Sequence, residues 1–304
     1  MSVSKEDIQR VKLMGFLHNR NTDQFSCRVI TGNGTITAQQ MQAIGRIAEQ
    51  YGNGTCMFTT RMTVEFAGIP FAQIDNVVQE LEKIGLSAGG TGARVRPVTA
   101  CKGTTCVFGF YDTQALAQKV HERFYVGMGD VRLPHKFKIA VGGCPNNCIK
   151  PDLNDFGIVG QHPPKFKEEL CRGCKLCEKF CRMGCMEVVD GKMKRDTTVC
   201  NNCGYCVGKC PFDAIYAEEV AYKLYIGGRW GRITRHGTPL PGLYTAEQAL
   251  DMIEKAMLLF RSQGKKGERF AAMIDRIGEE TAINLLLNGD LMAQREQILA
   301  KEIG

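Results

Sequence analysis

Twelve of the fifteen cysteines in this 304-residue chain fall into three sets of four. Cys171, Cys174, Cys177 and Cys181 form a C-x2-C-x2-C-x3-C run. Cys200, Cys203, Cys206 and Cys210 repeat it and close on Cys210-Pro211. Two-residue gaps let one tight loop present thiolates to three irons of a cube, so each run points to a [4Fe–4S] cluster. The three-residue gap before each fourth cysteine predicts an exchange of ligands, since in such pairs the fourth thiolate serves the other cube. Cys171, Cys174, Cys177 and Cys210 would hold one cluster, and Cys200, Cys203, Cys206 and Cys181 the other. Structural zinc sites stop at four ligands in two pairs, and a disulfide framework belongs to secreted chains. The remaining set is split, with Cys101 and Cys106 in TACKGTTC and Cys144 and Cys148 in GGCPNNC. Two loops thus deliver four more thiolates, a pattern that by itself is only moderately specific.

The elements that must position these groups are legible in outline. Residues 24–31 read as a strand, and Thr37 caps a helix over 38–51 with Met41, Ile44 and Ala48 on one face and Gly52 as its stop. CMFTT and MTVEFAGI are short strands flanking Arg61. Pro70 opens a helix carrying Ile74, Val77, Val78, Leu81 and Ile84, ended by Gly85. That β-α-β-β-α order is a ferredoxin-like α+β unit. GGTG (89–92) is a loop, and ARVRPVTA is a strand leading to Cys101. A helix follows at about 112–124, and KFKIAVGG and FGIVG are further strands. Lys136 and Lys138 alternate on the first of these, so both ammonium groups point to one face and Phe137 to the other. Composition changes at His162-Pro163-Pro164. Residues 162–217 hold nine of the fifteen cysteines, and a strand pattern resumes at 222–228 before a helical tail with Leu250, Ile253, Met257 and Phe260 on one face. Because the 222–228 strand needs partners, the preferred parse is an α+β domain interrupted by a small cluster module. The boundaries are 1–92 for the N-terminal half, 93–161 with 219–304 for the second, and 162–218 for the inserted two-cluster module of the bacterial ferredoxin kind.

Bulk properties bound the function. The formal charge is +7, but three cubes with four thiolates each would bring roughly −2 apiece. The excess Lys and Arg therefore read as internal compensation, with no arginine-rich tract to suggest nucleic acid. The opening MSVSKEDIQR is charged, with no apolar signal core after it, and no apolar run approaches a membrane span. The expectation is a cytoplasmic protein, where thiolates stay reduced.

CRVITGNGTIT (27–37), FTTRMTVEFAGI (58–69), the first cysteine pair, LPHKFKIAVGGCPNNC (133–148) and IGGRWG (226–231) together resemble the siroheme-dependent sulfite and nitrite reductases. The layout, with an inserted two-cluster ferredoxin, resembles the C-subunit type of anaerobic sulfite reductase. The resemblance implies that Cys101, Cys106, Cys144 and Cys148 hold a [4Fe–4S] cluster, with Cys148 also bridging to the iron of siroheme. It implies that Arg28, Arg61, Lys136 and Lys138 surround the open distal face, where fixed cations bind an oxyanion and stabilise developing charge. Siroheme is rich in carboxylates, and Arg94, Arg96, Lys102 and Arg229 are rim candidates by their position near the motif loops. The chain departs from the pattern in its C-x4-C first pair, commonly C-x5-C, in Arg182, where proline is usual, and in Cys185, where a small residue is common.

The implied activity is six-electron reduction of sulfite to sulfide by a dissimilatory-like anaerobic enzyme with siroheme and three [4Fe–4S] clusters. The alternatives are nitrite reduction to ammonia and a non-catalytic electron-transfer subunit with structural siroheme. No dinucleotide fingerprint is present, so flavin or NADH chemistry belongs to another subunit, or a ferredoxin supplies the electrons. Two-copy relatives draw the cations and the cluster cysteines of one site from different copies. An oligomer is therefore expected, its sites either shared across a twofold axis or built within each chain. Cys27, Cys56 and Cys185 read as buried free cysteines. Of the scattered histidines, His135 is the one placed beside the lysine pair.

Overall fold

The computed structural model describes residues 3–303. Helix α1 (Lys5–Leu13) is capped by Ser4 and leads into β1 (Phe16–His18). The strand expected over 24–31 is β2 (Gln24–Ile30), and helix α2 (Ala38–Tyr51) follows with Thr37 and Gln40 closing a reciprocal capping box. Strands β3 (Cys56–Phe58) and β4 (Val64–Pro70), helix α3 (Ile74–Lys83) and β5 (Ser87–Ala88) complete this half. Its sheet runs β1-β2-β4-β3, with β5 also paired to β2. Phe25, Val29, Val64 and Phe66 from the strands pack on Ile44, Ile47, Val77 and Leu81 from α2 and α3. One helix face differs from expectation. Ala43, Ile44, Ile47 and Ala48 form the buried stripe, whereas Met41 is 41% exposed, because it falls on the stripe's outer edge.

The second sheet is built from β6 (Thr99–Ala100), β7 (Ile139–Gly142), β8 (Phe156–Gln161), β13 (Ala221–Ile226) and β14 (Thr238–Pro239), in the order β14-β13-β8-β7-β6. Strands β6, β7 and β8 are parallel; β13 returns antiparallel to β8, pairing Ala221 with Gln161 and Ile226 with Phe156. Helix α4 (Thr113–Val120), continued by a π-turn to Val126, covers this sheet together with α6 (Ala246–Gln263), α7 (Phe270–Ile277), α8 (Glu279–Asn288) and α9 (Arg295–Ala300). Leu250, Ile253, Met257 and Phe260 are buried in its core. The strand expected over 93–100 is shorter. Pro97 has no N–H to donate, and only Thr99–Ala100 is regular. Upstream, Arg96 N–H donates to Phe137 O, and Phe137 N–H to Arg94 O.

Between the paired strands β8 and β13 the chain leaves the sheet. Strand β9 (Pro164–Phe166) pairs with β12 (Ile215–Ala217) as a stem. Inside it lie α5 (Leu176–Phe180) and the hairpin β10 (Met186–Val189) with β11 (Lys192–Arg195). The apolar centre of this excursion is made largely of cysteines with Met186, Ile215 and Phe166. So little carbon cannot stabilise a core of about fifty residues alone, and staples are the usual remedy.

Candidate active site and thiolate sets

A cavity of about 320 Å³ opens where the two layers meet, lined by Arg28, Arg61, Arg96, Lys136 and Lys138 with Thr59, Thr60, Gly90 and Pro97. Arg28 sits on β2 directly opposite Glu65 of β4; its Nε donates to Glu65 Oε1 at 2.5 Å and its Nη1 to Gly90 O at 2.9 Å. Gly90 also accepts from Arg96 Nη1. Gly90 has φ +72°, and a Cβ there would lie 2.8 Å from the Pro97 ring; the tight turn therefore requires glycine. Arg61 leaves the turn between β3 and β4 and reaches the other sheet. Its Nη1 donates to Asn154 Oδ1 at 2.6 Å, and its Nη2 to Ile139 O at 2.9 Å and to Pro97 O. Arg61 is thus both a cavity cation and a strut between the halves.

The strand starts at Ile139, so Lys136 and Lys138 lie just before it, not within it. They still flank Phe137, whose buried ring contacts Phe260 and Phe270. A bridge from Phe137 to Val95 keeps this segment extended. Behind the lysines, the fully buried Asp155 accepts the Lys138 backbone N–H at 2.9 Å and two contacts from Arg269 at 3.1 Å. Burial raises the Asp155 pKa against the pull of Arg269. Burial and then Arg61 bring the Lys138 ammonium down to about 8; burial and Arg269 lower Lys136 as well. Arg61 and Arg96 fall to about 10 by burial. His135 falls to about 4 through burial and then Arg269 and Lys136, so it is neutral at pH 7; its Nδ1 accepts the Lys136 N–H at 2.7 Å.

Positive charge therefore exceeds negative here, and some of the donors are unspent. Among the described residues neither lysine ammonium has an ion-pair partner, and the buried Nε atoms of Arg61, Arg96 and Arg269 have no acceptor. Buried donors without partners are costly, and of these three arginines Arg61 and Arg96 line the cavity while Arg269 does not. Asp155, Arg269, Glu65 and Asn154 were not among the sequence candidates. Arg269 stands 114 positions from the carboxylate it meets, and no local spacing could have signalled it.

The thiolates stand at the opposite end of the parallel strands. Arg96 and Lys138 precede β6 and β7, and Cys101 and Cys144 follow them. The four residues of β7 span roughly 13 Å. The Cys144 thiol is raised by burial and also feels Cys101, Cys148 and Cys106, so the split set converges on one locality, with Cys148 exposed. Gly143 N–H donates to Cys101 Sγ at 3.1 Å, and a Cβ on Gly143 would lie 3.3 Å from that sulfur and 3.0 Å from Thr113. A backbone donor aimed at a thiolate suits an iron–sulfur ligand.

In the excursion, a cavity of about 260 Å³ is bordered by Cys171, Cys174, Cys177, Cys206 and Cys210. The Cys206 thiol is pushed up to about 12 by burial and feels Cys203, Cys200 and Cys181. Cys210 thus shares a cavity with the first three cysteines of the other run, and Cys181 is close enough to Cys206 to perturb it. Among the described residues no three His, Cys, Asp or Glu side chains converge as a single metal ion would need; in a cube each thiolate meets its own iron. Cys27 is buried, Cys185 is buried with its sulfur 3.3 Å from Cys181, and Cys56 is half-buried at the sheet edge. Arg229 is half-buried and close enough to perturb Lys136 and His135. Lys102 is exposed beside Cys101. Arg94 borders a neighbouring cavity and donates to Leu13 O and Gly129 O, both at 3.3 Å.

Comparison with known proteins shows the family. Residues 91–291 match the nitrite and sulphite reductase 4Fe-4S domain, and residues 18–84 the nitrite/sulfite reductase ferredoxin-like half domain. The chain belongs to the siroheme sulfite and nitrite reductase family. It is 31% identical over 268 residues to coenzyme F420-dependent sulfite reductase of Methanocaldococcus jannaschii, covering 87% of this chain and 41% of that protein. An uncharacterized protein of the same organism is 32% identical, with 86% of this chain and 90% of that one covered. The C subunit of the anaerobic sulfite reductase of Salmonella typhimurium is 30% identical, over 66% and 64%. The chain thus spans less than two thirds of both named relatives. Among solved structures, dissimilatory sulfite reductase I superposes with a TM-score of 0.70 at 19% identity, covering 86% of this chain and 69% of that one. NirA of Mycobacterium tuberculosis superposes at 0.68 and 16%, covering 99% and 48%. The α+β reductase fold is shared. Among the described residues no helix is long and apolar enough to cross a membrane.

Proposed function

We propose that this protein reduces sulfite to sulfide, using siroheme and three [4Fe–4S] clusters. The observation that carries the reading is the cavity of six cations, Lys12 included, with unpaired ammonium groups on Lys136 and Lys138 and buried guanidinium donors on Arg61 and Arg96. Bound siroheme would supply the iron at which the oxyanion is reduced; Cys101, Cys106, Cys144 and Cys148 would hold a [4Fe–4S] cluster, and Cys148 would serve the siroheme as well. Lys136, Lys138 and Arg28 hold the oxyanion, and the lysines, both lowered from the usual lysine value by burial and neighbouring cations, donate protons as oxygens leave as water. Arg61 keeps this face rigid through its three internal acceptors. Arg96 and Arg229 are assigned to the siroheme carboxylates nearest the cavity, with Arg94 and Lys102 at its outer rim. The two remaining clusters occupy the inserted ferredoxin at 162–218 with exchanged fourth ligands.

Cations and split thiolates lie at opposite ends of the same strands. That geometry supports a twofold dimer in which the cations of one copy face the thiolates of the other. Electrons arrive from a donor subunit or ferredoxin. The test is anaerobic purification followed by iron, acid-labile sulfide and tetrapyrrole analysis, then sulfite turnover with a low-potential dye. The reading predicts about four irons per thiolate set and stoichiometric sulfide. Full cofactor content with ammonia from nitrite but no sulfide from sulfite would move the assignment to nitrite reduction. No turnover of either would make this an electron-transfer subunit.

A further inference from the structure

Arg182 departs from the pattern of its cysteine run, and its surroundings give it a task. Its guanidinium carbon lies 3.8 Å from the centroid of the Tyr205 ring and 5.7 Å from that of Phe108. Among the described residues it has no ion-pair partner. Each of the three residues is next to or two from a candidate ligand: Arg182 follows Cys181, Tyr205 precedes Cys206, and Phe108 is two past Cys106; Tyr205 holds Arg182 from within the module, and the contact with Phe108 is the one that crosses to the split-set loop. They border a cleft of about 300 Å³ that Cys144 and Cys203 also line. The cleft therefore separates the split thiolate set from the second run of the excursion.

We infer that Arg182 is a positioning residue that docks the cluster module onto the split set, fixing the path by which electrons cross between them. The inference rests on the cofactor reading above. Each crossing oxidises a module cluster by one electron and reduces the split-set cluster by one, with no bond made or broken; a low-potential one-electron donor replenishes the module. A proline, the usual residue after this cysteine, offers neither charge nor reach, so the contact is absent without Arg182.

Exposed cation–π contacts are worth about 0.5–1 kcal/mol, so losing one should raise the undocked population about two- to fivefold. The test uses the holoprotein and three variants, Arg182→Ala, Tyr205→Leu and Arg182→Lys. Hydrogen–deuterium exchange across 104–112 and 199–207 reports docking without needing any cluster. Freeze-quenched electron paramagnetic resonance after mixing with dithionite reports electron arrival at the split set. Arg182→Ala and Tyr205→Leu should each raise exchange in both segments two- to fivefold and delay reduction of the split set, with midpoint potentials unmoved, and Arg182→Lys should restore most of both. Wild-type exchange and arrival in Arg182→Ala would overturn the inference, as would a delay fully explained by shifted potentials. A wild type lacking iron at the split set would defeat the cofactor reading alone, since exchange would still report the docking.

Discussion

Replacing Lys138 by methionine should stabilise the protein and cripple its site at once. The Lys138 ammonium shares its surroundings with Arg61, Lys136 and Arg269, against one buried carboxylate, Asp155; Arg28 and Arg96 line the same cavity. Burial and then Arg61 take its pKa from 10.5 to about 8. At 1.36 kcal/mol per pH unit this means that the charged form is destabilised on the order of 3 kcal/mol in the folded state. The folded value lies below the unfolded one, so below pH 8 both states hold the proton and the full penalty is present. Between about 8 and 10.5 the folded protein releases the proton while the unfolded chain keeps it, and stability rises with pH. Methionine removes the penalty, and after screening of a half-buried group the gain at pH 7 should be about 1–3 kcal/mol. The variant's stability should also lose its rise between pH 8 and 10. Anion binding should move the other way. A charge-assisted contact is worth about 1.5–3 kcal/mol, so affinity at pH 7 should fall about 10- to 150-fold. Nitrite is the better titrant because it stays a monoanion across this range. Wild-type affinity should decline above pH 8, the Lys138→Met affinity should be weak and flatter, and Lys136→Met controls for the neighbouring lysine. Chemical denaturation and calorimetry supply both readouts. A methionine variant no more stable than wild type, with wild-type nitrite affinity at pH 7, would refute the reasoning.

Other consequences follow from the same geometry. Cys148→Ser should uncouple siroheme from the split cluster in electron paramagnetic resonance while leaving the iron of the inserted module intact; normal coupling and full turnover would remove Cys148 from the link. An inactive Cys148→Ser chain mixed with an inactive Lys136→Ala chain should regain part of the activity if sites are shared, and no recovery despite proven subunit exchange would place each site within one chain. Glu254 is 7% exposed and meets Arg123 at 2.6 Å and Arg295 at 2.7 Å. Burial pushes its pKa up, but these two arginines hold it below its ordinary 4.5. Its contribution is therefore complete above about pH 4.5 and lost as pH falls through the lower folded value. Glu254→Gln should cost about 1.5–3 kcal/mol at pH 7 and less in acid, and a denaturation series that shows equal loss at pH 7 and pH 3 would contradict the pairing.

Much of this protein was legible in one dimension, because its chemistry lies in residue types at short, regular spacing. The two C-x2-C-x2-C-x3-C runs point to cluster ligation without a fold, since a thiolate every third residue in a tight loop is the spacing such clusters use. The cap at Thr37 and the apolar stripes of α3 and α6 are likewise local, and the sequence marks them directly. Lys136, Phe137 and Lys138 alternated as expected even though regular strand begins only at Ile139. What the sequence could not reveal was decided by contacts between distant segments. Arg61 became a strut because Asn154, Pro97 and Ile139 arrive from another sheet to accept its donors. Asp155 and Arg269 came behind the lysines through the packing of α7, across 114 positions. Arg182 found Tyr205 and Phe108 only once the excursion had folded back beside the Cys144 loop. Local spacing specifies which atoms can bind a metal or an anion. Burial, which sets the pKa of Lys138 and leaves the guanidinium Nε atoms without partners, exists only when distant parts of the chain exclude water together.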